Sequence, residues 1–443
     1  MMMPLQPRSA WIVVAFLALV LVACQPAGET PAQITPAVTQ PPGAPGTTSV
    51  PQATPAGELP ERIVIGYPAS LTGQFEALGR AGNDGLQLFE QWVNEEEGGI
   101  EVAGTKLPVE VVFADDRSDL DTATRLFENL VTEEGAHFMM ASYSSSLTLA
   151  EAPIAERLGV LAFGWGAASD DIWQQGFTTI VGVITPSSLY DEGFLEFTAG
   201  AEPPAERIAI VYKDDPFTVA EGEGARAVAE ELGMEVAFMD RYPAQATDLS
   251  PILTQAAGAQ PDIMLVDGHF QDGALAARQM FELGIRPAAT LFGSASATTD
   301  WATELGEAAN GTYGASQWEP DQELDTALFE EDNWRGPQVT PNEWAAQFEE
   351  EFGYVPDFRA AMAFHAAVVL KAAIEEAGAL DTDAVREALK ALEIRTVGGE
   401  FRLDPETLNQ VGHTMVTIQW QEGEKVIVAP EESKTGEALY PVP

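Results

Sequence analysis

The sequence predicts an α/β protein built as two doubly wound parallel-sheet lobes. Three observations carry that prediction. Short β-branched runs alternate with helical stretches of roughly 10–15 residues, the pattern of parallel sheets with right-handed crossovers. The alternation restarts after Phe177. The part that is globular in composition, about residues 61–430, also exceeds the roughly 250–300 residues that one hydrophobic core serves.

Taken in order, "RIVIGYP" (62–68) is a β-branched run that stops at a loop, a first strand. "AGNDGLQLFEQWVNEEEGG" (81–99) carries Leu86, Phe89, Trp92 and Val93 at helical spacing, and Gly98-Gly99 ends it. "LPVEVVFADD" (107–116) is a second strand, and "DLDTATRLFENLVTEEG" (119–135) a helix with acidic residues in its first turn. A third strand (136–143), a serine-opened helix (145–159) and a fourth strand (160–166) follow. The second run gives strands in "ERIAIVYKDD", "MEVAFMD", "PDIMLVDG" and "AATLFGS". Helices in "FTVAEGEGARAVAEELG", "TDLSPILTQAAG" and "ALAARQMFELG" lie between them. The last third breaks the pattern. It holds three helices, at 340–353, 357–378 and 381–392, then two antiparallel strands turning near Glu422-Gly423. Residues 431–443 read as a loose tail.

The N-terminus reads differently. Arg8 precedes an apolar run from Ala10 to Val22. As a helix this run rises only ~20 Å, too short for a hydrocarbon core of ~30 Å, so it reads as a secretory signal. It ends in Leu21-Val22-Ala23-Cys24, similar to the lipobox of bacterial lipoproteins. That resemblance implies a signal peptide over 1–23, a lipid on Cys24 and an extracytoplasmic, membrane-anchored protein. Cys24 is the only cysteine, so no intrachain disulfide exists. Residues 24–60 are rich in Pro, Ala, Thr, Gly and Gln, the composition of a disordered tether.

Composition and motifs exclude several function classes. With 22 Lys+Arg against 69 Asp+Glu, net charge −47, no basic surface remains for nucleic acid. "GEGARA" (222–227) matches G-x-G-x-x-A, but its glycines fall inside a helix instead of opening one, so no dinucleotide site is expected. There is no G-x-S-x-G elbow and no P-loop. The four histidines lack metal-ligand spacing, and "DDRSDLDTA" (115–123) lacks the pattern of a calcium loop. The expectation is therefore no enzyme, no cofactor and no metal. What remains is hydroxyl-rich and small-residue loops at the ends of strands: "PASLTGQF" (68–75), "SYSSSLT" (142–148) and "GWGAASDD" (164–171). Carboxyl ends of parallel strands are where open α/β sheets bind ligands, and helix N-termini there accept anions.

These stretches, with "IAIVYKDDPFTVAEG", "PDIMLVDG" and "GGEFRLDPETLNQVGHTMVTIQW", resemble the Leu/Ile/Val-binding family from about Arg62 to Val428. Its members are type I periplasmic solute-binding proteins of ATP-binding cassette importers. The resemblance implies two lobes joined by three chain crossings that close over a ligand. Lobe 1 is expected at 61–182 and 317–395, and lobe 2 at 183–316 and 396–430. It places ligand contacts at Ser144, Ser145 and Ser146, at Ala167, Ala168 and Ser169, and at Phe217, His269 and Trp318. A first-lobe aromatic falls at Phe75, with Leu78 at its usual position. The acidic residue that pairs with a ligand ammonium in amino-acid binders is replaced by Ser294-Ala295. The ligand is thus expected to be a small polar molecule: an amino acid, an amide or a carboxylate. Expected partners are a permease and its ATPase, with the chain itself a monomer. A ligand sensor signalling to a membrane receptor is the alternative, and a secreted hydrolase a third reading that lacks a nucleophile–base pair.

Overall fold

The computed structural model describes residues 59–443. The expected signal segment, Cys24 and all but the last two residues of the tether lie outside them. No helix among the described residues is long and apolar enough to cross a membrane.

The strands run β1 (Ile63–Ala69), β2 (Ile100–Val102), β3 (Thr105–Leu107), β4 (Val109–Asp115), β5 (Phe138–Met140), β6 (Ala162–Gly164), β7 (Ile180–Gly182), β8 (Arg207–Lys213), β9 (Glu235–Tyr242), β10 (Ile263–Asp267), β11 (Ala289–Leu291), β12 (Tyr313–Ser316), β13 (Glu393–Thr396), β14 (Gly399–Arg402), β15 (Val416–Gln421) and β16 (Glu424–Ala429). The helices are α1 (Glu76–Glu95), α2 (Leu120–Thr132), α3 (Ser145–Leu158), α4 (Asp171–Gln174), α5 (Glu192–Ala199), α6 (Pro216–Glu231), α7 (Ser250–Gly258), α8 (Phe270–Leu283), α9 (Trp301–Leu305), α10 (Pro341–Phe352), α11 (Phe358–Ala377) and α12 (Thr382–Ala391).

Two sheets organise the chain. The first has the order β4-β1-β5-β6-β7 and is wholly parallel. The second runs β9-β8-β10-β11-β12 in parallel and adds β15 and β16 antiparallel. Both parallel parts use the doubly wound order with its switch point beside the first strand. Strands covered on both faces read as unbroken apolar runs, and β1 and β10 are buried throughout. The amphipathic face anticipated for α1, Leu86, Phe89, Trp92 and Val93, is buried. Against it lies α11, buried without a break from Phe358 to Ile374.

The elements absent from the sequence reading are mostly short. The pair β2–β3, β7, β12 and the pair β13–β14 hold three or four residues each, too few to show a period. One expected boundary moves. A switch of lobes at 395/396 would cut the β13–β14 hairpin, in which Ile394 pairs with Phe401 and Thr396 with Gly399. Ile394, Phe401, Leu403 and Leu408 all pack into the core under the first sheet. The return to the second sheet therefore comes near His413. The tail is not loose either. Tyr313 Oη donates to Leu439 O (2.8 Å), Val442 N–H to Ala288 O (2.8 Å), and Tyr440 and Val442 pack on the second core.

Three crossings link the sheets, and each contributes a residue to one hydrogen-bonded node. Thr185 N–H donates to Gln317 Oε1 (3.1 Å), Gln317 Nε2 donates to Thr185 O (3.3 Å), and Thr185 Oγ1 bonds His413 Nδ1 (3.0 Å). The glycines of "GEGARA" sit inside α6, as expected. A Cβ on Gly224 would fall 2.1 Å from Ser188 O, so only glycine lets the crossing at Ser188 lie against the helix.

Candidate ligand-binding cleft

The loops at the carboxyl ends of both sheets meet around a small cavity of about 20 Å³, room for roughly one water. Its walls are Tyr143, Ser144 and Ser145 after β5, Gly166 and Ala168 after β6, and Phe358 at the head of α11. From the other side come Phe217 at the head of α6, His269 after β10 and Ser294 after β11. Ile184 and Tyr190 from the first crossing complete it.

On the first-lobe side the serine loop is built for donors. Ser144 has φ +100°, a costly conformation for a residue with a side chain, and it caps α3. Ser145 Oγ accepts from Ala168 N–H (3.1 Å) and Ser169 N–H (3.0 Å), which leaves its own O–H to donate. Ser169 Oγ donates to Pro216 O (2.8 Å), a bond from one lobe to the other.

On the second-lobe side the wall is aromatic. Phe217 lies 5.3 Å from Tyr190 and 5.6 Å from His269, centroid to centroid. Phe75 crosses from the first lobe to sit 5.0 Å from His269 and 5.6 Å from Tyr143. Asp215 orients this wall: it caps α6 through Phe217 and Thr218 N–H, and its other oxygen lies 3.2 Å from His269 Nε2. Burial alone would raise the Asp215 carboxyl, but His269 and the Thr218 amide pull it down to about 2. His269 Nδ1 is buried and has no partner among the described residues.

Arg359, 1% exposed, is buried behind the lining residues Tyr143 and Ser294. Nη1 pairs with Asp357 (2.8 Å) and reaches Thr298 Oγ1 (3.3 Å), Nε donates to Tyr143 Oη (3.3 Å), and Nη2 to Ser294 O (3.2 Å). Burial opposes its charge, and Tyr143 and Asp357 more than offset that. Thr298 and Ser294 belong to the second lobe, so these bonds also span the cleft.

The structure brings Ser144, Ser145, Ala168, Phe217 and His269 to the cavity, with Phe75 and Ser169 at its edge. It does not bring the others. Ser146 is half-buried one residue further into α3, outside the lining. Ala167 turns the opposite way from Ala168, into the core with Ile172 and Trp173. Trp318 lies past its crossing, donating to Val397 O (3.0 Å) and packing edge-on to Trp344 (5.5 Å). Leu78 is core. Sequence reasoning missed Tyr143, Tyr190, Asp215, Phe358 and Arg359. An arginine at the head of a helix whose first two turns are otherwise apolar, two residues after Asp357, was the available signal for the last.

A model of periplasmic binding proteins matches residues 62–425. The chain belongs to the periplasmic binding protein family. This binding protein is 22% identical over 403 residues to Leu/Ile/Val-binding protein homolog 7 of Brucella abortus, covering 88% of this chain and 97% of that one. It is similar in fold to a branched-chain amino acid transporter substrate-binding protein of Streptococcus pneumoniae in complex with isoleucine. There the TM-score is 0.71 at 20% identity, covering 83% of this chain and 100% of the other. It is also similar to a solute-binding protein of Rhodopseudomonas palustris in complex with 3,4-dihydroxybenzoic acid. That match has a TM-score of 0.69 at 20% identity and covers 85% of this chain and 99% of the other. The fold is thus that of two-lobed solute-binding proteins, and the chain is a binding protein, not an enzyme.

Proposed function

We propose that this chain is the lipid-anchored solute-binding component of an ATP-binding cassette importer, closing over a small carboxylate with a flat or apolar body. The observation that carries this reading is one cavity lined by strand-end loops of both sheets. Several features favour a carboxylate. The N-terminus of α3 and the Ser145 hydroxyl both face the cavity, the first with positive potential and the second as a donor. Ser294 stands where amino-acid binders place an acid, so no ammonium partner faces the cavity there. Phe75, Tyr143, Tyr190 and Phe217 suit a flat body, and relatives bind both isoleucine and a dihydroxybenzoate. Transport is supported by those relatives' roles, and anchoring by Leu21-Val22-Ala23-Cys24.

With the cavity near 20 Å³, a ligand enters only if the lobes part. Ligand bound by both lobes then shifts the population toward the closed form. Mass spectrometry of small molecules released on denaturation identifies the ligand. Scattering should show a smaller radius of gyration when it is returned to the stripped protein. Ser145→Ala should weaken affinity by about one to two decades, the worth of a hydrogen bond to a charged group. An unchanged radius together with unchanged Ser145→Ala affinity overturns the reading. For the anchor, Cys24→Ser should move the protein from the membrane to the soluble fraction, and retention on membranes in high salt refutes it.

A further inference from the structure

Behind the aromatic wall lie three carboxylates that the cleft does not use. Asp191 stands at the start of α5, Glu221 in the middle of α6 and Asp267 at the end of β10. Their exposures are 1%, 0% and 0%. One oxygen from each lies within 4.8 Å of the others. None of their six carboxylate oxygens has a hydrogen-bond donor among the described residues. The charges acting on Glu221 are Asp267, Asp191 and Asp215, all acidic. A buried carboxylate without donor or counter-charge is among the costliest groups a fold can hold, and here three converge.

A second observation concerns the backbone opposite them. Gly293, φ +45°, follows β11, and a Cβ there would fall 2.6 Å from Glu221 Oε1 and 3.5 Å from Asp267 Oδ1. Glycine keeps open the space into which these two oxygens point. Just upstream of Asp191, the buried Ser187 hydroxyl also lacks a partner.

We propose that Asp191, Glu221 and Asp267 form a structural site for a hard divalent cation, Ca²⁺ by size, in the second lobe. Oxygens bound at 2.3–2.6 Å to one Ca²⁺ lie no more than about 5 Å apart, which the observed spacing meets. Three carboxylates supply up to six oxygens, within the six to eight that Ca²⁺ takes. An all-oxygen set disfavours zinc and copper, which select nitrogen and sulfur. Tyr190, His269 and Ser294 are one or two residues from Asp191, Asp267 and Gly293, so the ion would stiffen the wall of the cleft from behind. The inference stands independently of the ligand and of transport.

The test uses the purified protein, stripped with EDTA and dialysed. Calorimetric titration with CaCl₂, and separately with MgCl₂ and MnCl₂, should find about one tight Ca²⁺ per chain. The melting midpoint in millimolar CaCl₂ should lie several degrees above that in EDTA. Glu221→Gln and Gly293→Ala should each lower Ca²⁺ affinity by about tenfold or more. The site is refuted if none of the three ions binds and the melting curves in EDTA and metal superimpose. It is equally refuted if Glu221→Gln binds Ca²⁺ as the parent does. Should either variant fail to fold, titration of the parent chain decides.

Discussion

Each lobe buries acid, but in opposite ways. In the first lobe Glu151, on α3, is fully buried, yet Oε2 accepts from Ser142 N–H (3.0 Å) and Oε1 lies 2.6 Å from Ser142 Oγ. Ser142 Oγ is also 3.0 Å from Pro68 O. One hydroxyl proton cannot serve both oxygens. The arrangement closes if Glu151 is protonated, donating to Ser142 Oγ, which donates to Pro68 O. Burial pushes Glu151 up to about 8, in keeping with a neutral acid. It acts as a linker among β1, the serine loop and α3. In the second lobe Asp191, Glu221 and Asp267 have no donors among the described residues. An acid with matched partners needs only a proton. Three acids with none need positive charge from elsewhere.

The comparison can be broken most forcefully through pH. The folded-state pKa of Glu151 is raised above its unfolded value, so its contribution is complete below pH ~4.5 and is lost as pH rises through about 8. Stability should fall by up to roughly 1.4 kcal/mol per pH unit across that window. Glu151→Gln should remove that component, because the amide keeps both bonds: NH₂ to Ser142 Oγ, and C=O from Ser142 N–H. Urea unfolding of the two proteins from pH 5 to 8 measures it. Equal slopes would show that Glu151 is ionised in the fold. A smaller effect sharpens the other side. In EDTA at pH 8, Asp191→Asn should raise the melting midpoint by about one or two degrees, by removing one of three repelling carboxylates. A drop in EDTA would mean that the three acids hold one another through shared protons.

How far the sequence spoke depended on length and locality. Long amphipathic helices such as α1 and buried strands such as β1 and β10 declared themselves by period and composition. Three-residue strands such as β7 carry no period, and the β13–β14 hairpin was swallowed by the expected lobe boundary. In the cleft, Ser144, Ser145 and Ala168 were visible because they form local loops, and Phe217 and His269 through resemblance. Arg359 was not, because its partners Tyr143, Ser294 and Thr298 come from two segments far from it in sequence. Asp191, Glu221 and Asp267 share no spacing; only the stacking of α5, α6 and β10 makes them neighbours.

The node of Thr185, Gln317 and His413 has a mechanical consequence. Three connections tied at one level cannot slide past one another. On one side Gly182 N–H is held by Leu408 O (2.9 Å). On the other, the fit of Gly224 against Ser188 binds the first crossing to α6. Burial drops His413 to about 4, so the node stays uncharged at neutral pH. Only a few dihedrals between Val183 and Ser187 remain to rotate in that crossing. Whatever parts Phe217 and His269 from the serine loop must be absorbed there and at the matching points of the other two crossings.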